Sequence, residues 1–283
     1  MTKPREIEDH LFTLREITGI LGAMKNFALL ETQKLARLSS TQHRVVEGIE
    51  MTAADVLTFY PAGTRRLGQG RPVYLLIGSE RGLCGDFNDL LFDRFTRLAP
   101  VGADQQHDLI LVGSKLAEKL KDDPRIVASV PGPAVAEEVP SVLIHLTDTL
   151  RAVQARSKSE SPLDLTILHH RAETDEIAVE VRRPFHPVER QATRYPYPPS
   201  LTLDPFVFVA ELFDHYLIAI LHEVFFSSLM AENLKRFQHM EQAIQRLQRD
   251  IEELTLTRNR LRQEEITEEI EVIMLSADAL KTP

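Results

Sequence analysis

From residue 206 to residue 282 the chain contains neither proline nor glycine. Proline breaks a helix by losing its N–H and clashing with the preceding turn, and glycine weakens one through backbone entropy. Their absence over this stretch predicts one continuous helix, roughly 115 Å long at the usual rise per residue. Mean globular helices run only about three turns, so no compact domain needs an element of that length. Proline is also missing from residues 5–60, whereas residues 61–205 hold 14 of the 16 prolines. The expected organisation is therefore a helix over 1–60, a middle domain over 61–205 and a helix over 206–283.

Apolar spacing indicates what the two helices are for. Met230, Phe237, Ile244 and Ile251 recur at intervals of seven, and Met240, Leu247, Leu254 and Leu261 form the row three positions later. That is the seam of a coiled coil. Arg246, Gln248, Arg249, Asp250, Glu252 and Glu253 fall between the rows as a solvated face. A partner stripe lies near the N-terminus, in Ile7, Leu11, Leu14, Ile17, Leu21, Met24 and Ala28, continued by Leu35, Leu38, Val45, Ile49 and Ala53. Gly19 and Gly22 interrupt it and would let another backbone come close. An antiparallel pairing that starts near residues 57 and 206 sets Met24 opposite Met240 and Met1 near Arg262.

The seam changes phase after Leu261. Ile266, Ile270, Ile273, Ala277 and Leu280 make a new stripe, offset by one position, at the point where the N-terminal partner would run out. Residues 262–283 are expected to protrude as a tip and offer that stripe to another protein.

The middle alternates short apolar runs with helical patterns. Val73-Tyr74-Leu75-Leu76-Ile77, Leu109-Ile110-Leu111-Val112 and Leu165-Thr166-Ile167-Leu168 read as buried strands, and residues 177–181 as a half-buried edge strand. Helical patterns occupy 90–98, 115–121 and 142–153. This predicts a mostly parallel, Rossmann-like α/β domain beside a long antiparallel two-helix coiled coil.

Charge and cysteine content exclude several classes. With 33 Lys+Arg against 42 Asp+Glu and a net charge of -9, nucleic acid is not an expected partner. The single cysteine, Cys84, allows no internal disulfide. No signal peptide is expected, because Glu8, Asp9 and His10 interrupt any early apolar run. An Arg-rich, acid-poor transit peptide is also missing, which points to a bacterial source. The most apolar stretch, 206–230, carries Glu211, Asp214, His215, His222 and Glu223, so no direct transmembrane segment is expected.

Three features invite a chemical reading. The turn 78–88 follows a strand and opens a helix, as a phosphate loop would, but it has neither the P-loop Gly-Lys-Ser/Thr nor Gly-x-Gly-x-x-Gly spacing. The plainer reading is a tight turn. Cys84 reads as a small buried thiol with no histidine nearby in sequence. His169 and His170, with Glu173 and His186, could be imagined as metal ligands, but neighbouring residues of a strand face opposite ways. No catalytic, cofactor-binding or metal residues are assigned.

The residues 254–270 closely resemble the C-terminal signature of F-type ATP synthase gamma subunits, Leu-x-Leu-x-Tyr-Asn-x-x-Arg-Gln-x-x-Ile-Thr-x-Glu-Ile. Leu254, Leu256, Asn259, Arg262, Gln263, Ile266, Thr267, Glu269 and Ile270 match it, with Arg258 in place of Tyr. Glu232, Arg236, Met240 and Ala243 sit at the spacing of the family's Glu-x3-Arg-x3-Met-x2-Ala. Residues 81–88 resemble its Arg-Gly-Leu-Cys-Gly-Gly-Phe-Asn segment with Asp86 for Gly, and Ile20 with Ala23-Met24-Lys25 matches a further element. The order is right across the whole chain. Two lysines usual in the family are absent at Gly19 and Gly22, which together with the acidic balance suggests a divergent branch such as the alternate bacterial F-ATPases.

The resemblance implies a non-catalytic rotor shaft. The helices would turn inside the hexamer sleeve of alpha and beta subunits, and the α/β domain would be a foot near the epsilon subunit and the membrane c-ring. The complex would sit peripherally on the cytoplasmic side of a bacterial inner (plasma) membrane. By position, Met24, Lys25, Arg236, Arg262, Gln263 and Thr267 would contact beta, and Ile266, Ile270, Ile273, Ala277 and Leu280 would run in an apolar bearing. Two rivals stand beside it: an unrelated coiled-coil scaffold or adaptor, and a nucleotide-binding α/β enzyme using residues 78–88.

Overall fold

A computed structural model describes residues 4–60, 72–99, 107–156, 164–173, 176–184 and 197–279. Helix α1 spans Pro4–Phe59 and helix α5 spans Pro205–Ala279. Both begin with proline, whose missing N–H costs nothing in a first turn. Asp204 caps α5, its Oδ1 accepting from the amides of Phe206 at 2.9 Å and Val207 at 3.4 Å.

Between them run β1 (Pro72–Ile77), α2 (Phe87–Leu98), β2 (Asp108–Val112), α3 (Ser114–Leu120), β3 (Ile126–Val130), α4 (Val139–Arg156), β4 (Asp164–Glu173) and β5 (Glu176–Arg182). The strand order is β3-β2-β1-β4-β5. The first four strands of that order are parallel, and β5 joins β4 antiparallel at the edge, so the sheet is mixed. β3 has no counterpart among the apolar runs read from the sequence, because three of its five residues are only half-buried.

The chain forms two compact units, Ala28–Arg236 and Met1–Phe27 with Phe237–Pro283. In the first, alternate strand residues point to opposite faces. Val73, Leu75, Ile77, Ile110, Val112 and Ile167 pack with Leu143 and Leu146 of α4 and Ile220, Val224 and Phe225 of α5. Leu76, Leu109, Leu111 and Leu168 pack with Leu91 and Phe95 of α2 and Leu116 of α3. α5 also holds an 18-residue window of mean hydropathy 1.4, apolar enough by composition for a membrane span, with 28% of it buried. On the same helix, Tyr216, Ala219 and Ile220 belong to the sheet's core.

Along α1 one row steps by four and three without meeting an exposed residue: Ile7, Leu11, Leu14, Thr18, Leu21, Lys25, Ala28, Thr32, Leu35, Ser39, Gln42, Val46, Ile49, Ala53 and Val56. This corrects the stripe expected from apolar residues alone. Ile17, Met24, Leu38 and Val45 are exposed at 41%, 39%, 39% and 46%. Their inward places go to the next residue along, Thr18, Lys25, Ser39 and Val46. Thr18 and Thr32 donate to the carbonyls of Leu14 and Ala28, each at 2.8 Å, while Lys25 pairs with Glu241 at 2.6 Å and Gln42 donates to the Ala219 carbonyl at 3.0 Å. Met24 therefore does not face inward toward Met240. Gly19 and Gly22 admit no close backbone either, since a Cβ there would meet nothing within 4 Å.

On α5, Phe237, Met240, Ile244, Leu247, Ile251, Leu254 and Leu261 are all shielded to some degree. From 262 to 276 every residue is exposed.

Candidate functional site

Open α/β sheets bind phosphate at the turns beyond their strand ends, so the turn after β1 is the first place for a site. Its own side chains fill it. Glu80 Oε2 accepts from the amides of Ser114 at 2.8 Å and Gly132 at 2.7 Å, and Oε1 accepts from Ser114 Oγ at 2.7 Å. These amides, just past β2 and β3, are the donors an incoming anion would need. Asn88 ties the turn to α2, its Oδ1 accepting from Ser79 N at 3.0 Å and its Nδ2 donating to Ser79 Oγ at 2.9 Å. The glycines serve close packing. A Cβ on Gly78 would lie 2.5 Å from that of Leu116, and Gly113, with φ at +105°, would bring one within 2.7 Å of the carbonyls of Gly78 and Ser79.

The rest of the turn rests on α5 through Arg236. Its Nε donates to the Gly82 carbonyl at 3.2 Å, and Nη2 reaches the Arg81 carbonyl at 3.4 Å and Cys84 Sγ at 3.2 Å. Nη1 donates to Asn233 Oδ1 at 2.9 Å, and Glu232, one helical turn back, completes the ion pair through Nη2. Burial pushes the Glu232 carboxyl up, against the opposing pull of Arg236. Burial and then the Glu232 charge push the Cys84 thiol up to about 12, so it is not a nucleophile at neutral pH. Lys235 holds Asp86 at 2.9 Å and lowers its pKa by that hydrogen bond.

His169 and His170 point to opposite sides of β4. His170 stacks on Phe87 with ring centroids 3.7 Å apart, and both its nitrogens are buried without partners. Among the described residues no cluster of three or more His, Cys, Asp or Glu could hold a metal ion. His186, considered above as a ligand, lies outside the described residues.

The residues expected at a protein interface fall in both units. Arg236 is 6% exposed, with its donors committed beneath the turn after β1. That internal role is one that spacing alone did not reveal, and Glu80 was missed for the same reason. In the smaller unit Met24 is 39% exposed, while Lys25 bridges to Glu241 and lies over the Phe237 ring. Arg262, Gln263 and Thr267 are exposed, as are Ile266, Ile270 and Ile273. Ala277 lies within α5, and Leu280 lies outside the described residues.

A family model described as ATP synthase matches residues 3–280. The chain belongs to the ATP synthase gamma-chain family. Its relatives carry that description. The ATP synthase gamma chain of Mycobacterium tuberculosis is 27% identical over 302 residues, covering 95% of this chain and 98% of that protein. That of Clostridium botulinum is 24% identical, covering 94% and 95%. The fold is similar to the rotor of the Euglena gracilis mitochondrial ATP synthase, with a TM-score of 0.65 at 12% identity over 93% of this chain and 98% of that one. The central stalk of the Tetrahymena thermophila enzyme gives 0.56 at 15% identity, over 79% and 99%. The chain is thus a gamma subunit, a non-catalytic part of the central rotor stalk of an F-type ATP synthase. A turn filled by Glu80 suits a subunit that leaves nucleotide to others.

Proposed function

We propose that α1 and α5 pair as an antiparallel coiled coil that rotates inside a sleeve of alternating alpha and beta subunits. The chain then divides into a helix over 1–60, a foot over 61–205 directed toward epsilon and the membrane c-ring, and a helix over 206–283 ending in a tip over 262–283. Bonds between the helices support this. Lys25 meets Glu241, His43 meets Glu223 and Glu50 meets Tyr216, so numbers fall along α5 as they rise along α1.

One observation carries the reading: Ile266, Ile270 and Ile273 lie bare on a continuous helix, 48% to 64% exposed. An apolar row of this kind marks a protein contact, and a bearing within the sleeve would cover it. Met24, Lys25, Arg262, Gln263 and Thr267 are then the beta-facing residues, with Ala277 and Leu280 extending the bearing. Arg236 we place inside the turn after β1 and not on that surface. A shaft whose faces differ contacts each beta subunit differently, and only such differential contact can bias their nucleotide affinities. The chain works in a membrane-associated ATP synthase, which we place peripherally on the cytoplasmic side of a bacterial inner membrane.

Co-expression with the alpha and beta subunits tests the assignment. A single copy per alpha-beta hexamer in the purified complex is the expected stoichiometry. A chain that oligomerises by itself and never enters the complex would instead be a scaffold.

A further inference from the structure

Within the larger unit, a cleft of about 260 Å³ opens between α1, α5 and the β4–β5 edge. Nothing in the rotor reading uses it. His43 reaches it from α1, Glu223 and Ser227 from α5, His169 and Arg171 from β4, and Glu180 and Arg182 from β5. Most of these groups already satisfy one another. Glu180 accepts from Arg182 Nε at 2.9 Å and from Arg171 Nη1 at 3.3 Å. Glu223 Oε1 meets His43 Nδ1 at 2.7 Å.

Two buried acceptors are left over. Glu223 Oε2 has no hydrogen-bond partner, the nearest cation being Arg182 Nη2 at 3.7 Å. His169 is 2% exposed, and its Nδ1 lies 3.1 Å from the His170 carbonyl, which can only accept, so Nδ1 carries the proton. Burial keeps the ring neutral. Nε2 is therefore a lone pair without a partner. The Glu180 carboxylate, 3.9 Å away, is another acceptor and cannot satisfy it. One helical turn from Glu223, Ser227 Oγ donates to the His170 carbonyl at 3.3 Å, which leaves its own lone pairs to accept.

Buried acceptors without donors are rare in folded proteins, and here both belong to side chains that line one cleft. The guest must bring donors. A water molecule brings two, whereas a primary ammonium brings three and a charge that complements the Glu223 carboxylate. We propose that the cleft binds a small organic molecule through a protonated primary amine, its three N–H groups directed at Glu223 Oε2, His169 Nε2 and Ser227 Oγ.

The test is a titration of the full chain with methylammonium chloride. It is followed by the nitrogen NMR shift of His169 Nε2 and by thermal unfolding. Binding should be saturable, move that resonance and raise Tm. Tetramethylammonium chloride at the same concentration has the charge but no N–H, and should do neither. Glu223→Gln and Ser227→Ala should each weaken methylammonium binding by about tenfold or more. Ser227→Ala loses only the one hydroxyl and serves as the variant that keeps the fold. Equal responses to the two salts would overturn the proposal and leave ordered water as the occupant. Unchanged affinity in a folded Ser227→Ala protein would overturn it too.

Discussion

Glu80 reaches from the end of β1 to accept a hydrogen bond from the Gly132 amide, 2.7 Å away beyond β3. The same carboxylate takes the Ser114 amide and hydroxyl, so one side chain ties together the turns after three neighbouring strands.

Glu80→Ala strands the two amides and the hydroxyl without an acceptor. Unfolding by urea should show a loss of about 2–4 kcal/mol. A loss within the range of ordinary surface substitutions would mean that solvent replaces the carboxylate freely.

Arg236→Ala leaves Glu232, 4% exposed, buried without its cation, and also releases the carbonyls of Arg81 and Gly82. The expected cost is about 3–5 kcal/mol. Combining Arg236→Met with Glu232→Leu removes both charges and should be less harmful than Arg236→Ala alone. A double variant as unstable as the single one would assign the loss to the turn's carbonyls and not to the ion pair.

His170 makes stability depend on pH. Burial chiefly, then the neighbouring His169, pushes its pKa from 6.5 down to about 3. The unfolded chain therefore takes up this proton first as pH falls. Stability is full above about 6.5 and is lost progressively toward 3. Burial lowers His169 in the same direction, while the raised Glu232 opposes both. In His170→Leu the slope of unfolding free energy between pH 6 and pH 4 should flatten by up to about 1.4 kcal/mol per pH unit. Urea titrations at several pH values read this directly, and an unchanged slope would remove His170 from the account.

Deleting residues 262–283 should leave assembly with alpha and beta subunits intact, because the shielded rows of α1 and α5 remain. Torque and the coupling of hydrolysis to rotation should fall, as read by single-molecule rotation of the assembled complex. Full coupling without the tip would remove the bearing from the mechanism.

The long helices were legible because proline and glycine punctuate the rest of the chain so heavily. Strands β1, β2 and β4 were legible as continuous apolar runs, and β5 as an edge, since burial on both faces or on one leaves different patterns. β3 was not, because Val127 and Ala128 lie half-buried in an edge strand that its neighbours do little to mark. The inward row of α1 was misjudged at Ile17, Met24, Leu38 and Val45, where apolar content pointed to these residues and the row instead takes their neighbours Thr18, Lys25, Ser39 and Val46. The bonds of Glu80, and those of Arg236 to Arg81, Gly82 and Cys84, span long separations in sequence, so no spacing rule could anticipate them.

Within the row of α1, Lys25 and Gln42 bond to α5 and can act as an index. An all-apolar row is nearly indifferent to sliding by one heptad, since each leucine finds another like it. Lys25 is not indifferent: a slide of seven residues would exchange Glu241 for Leu234 or Gln248. A single charged residue can thus fix which rung meets which. For a shaft of paired helices, as proposed above, such a lock would oppose slippage under a twisting load.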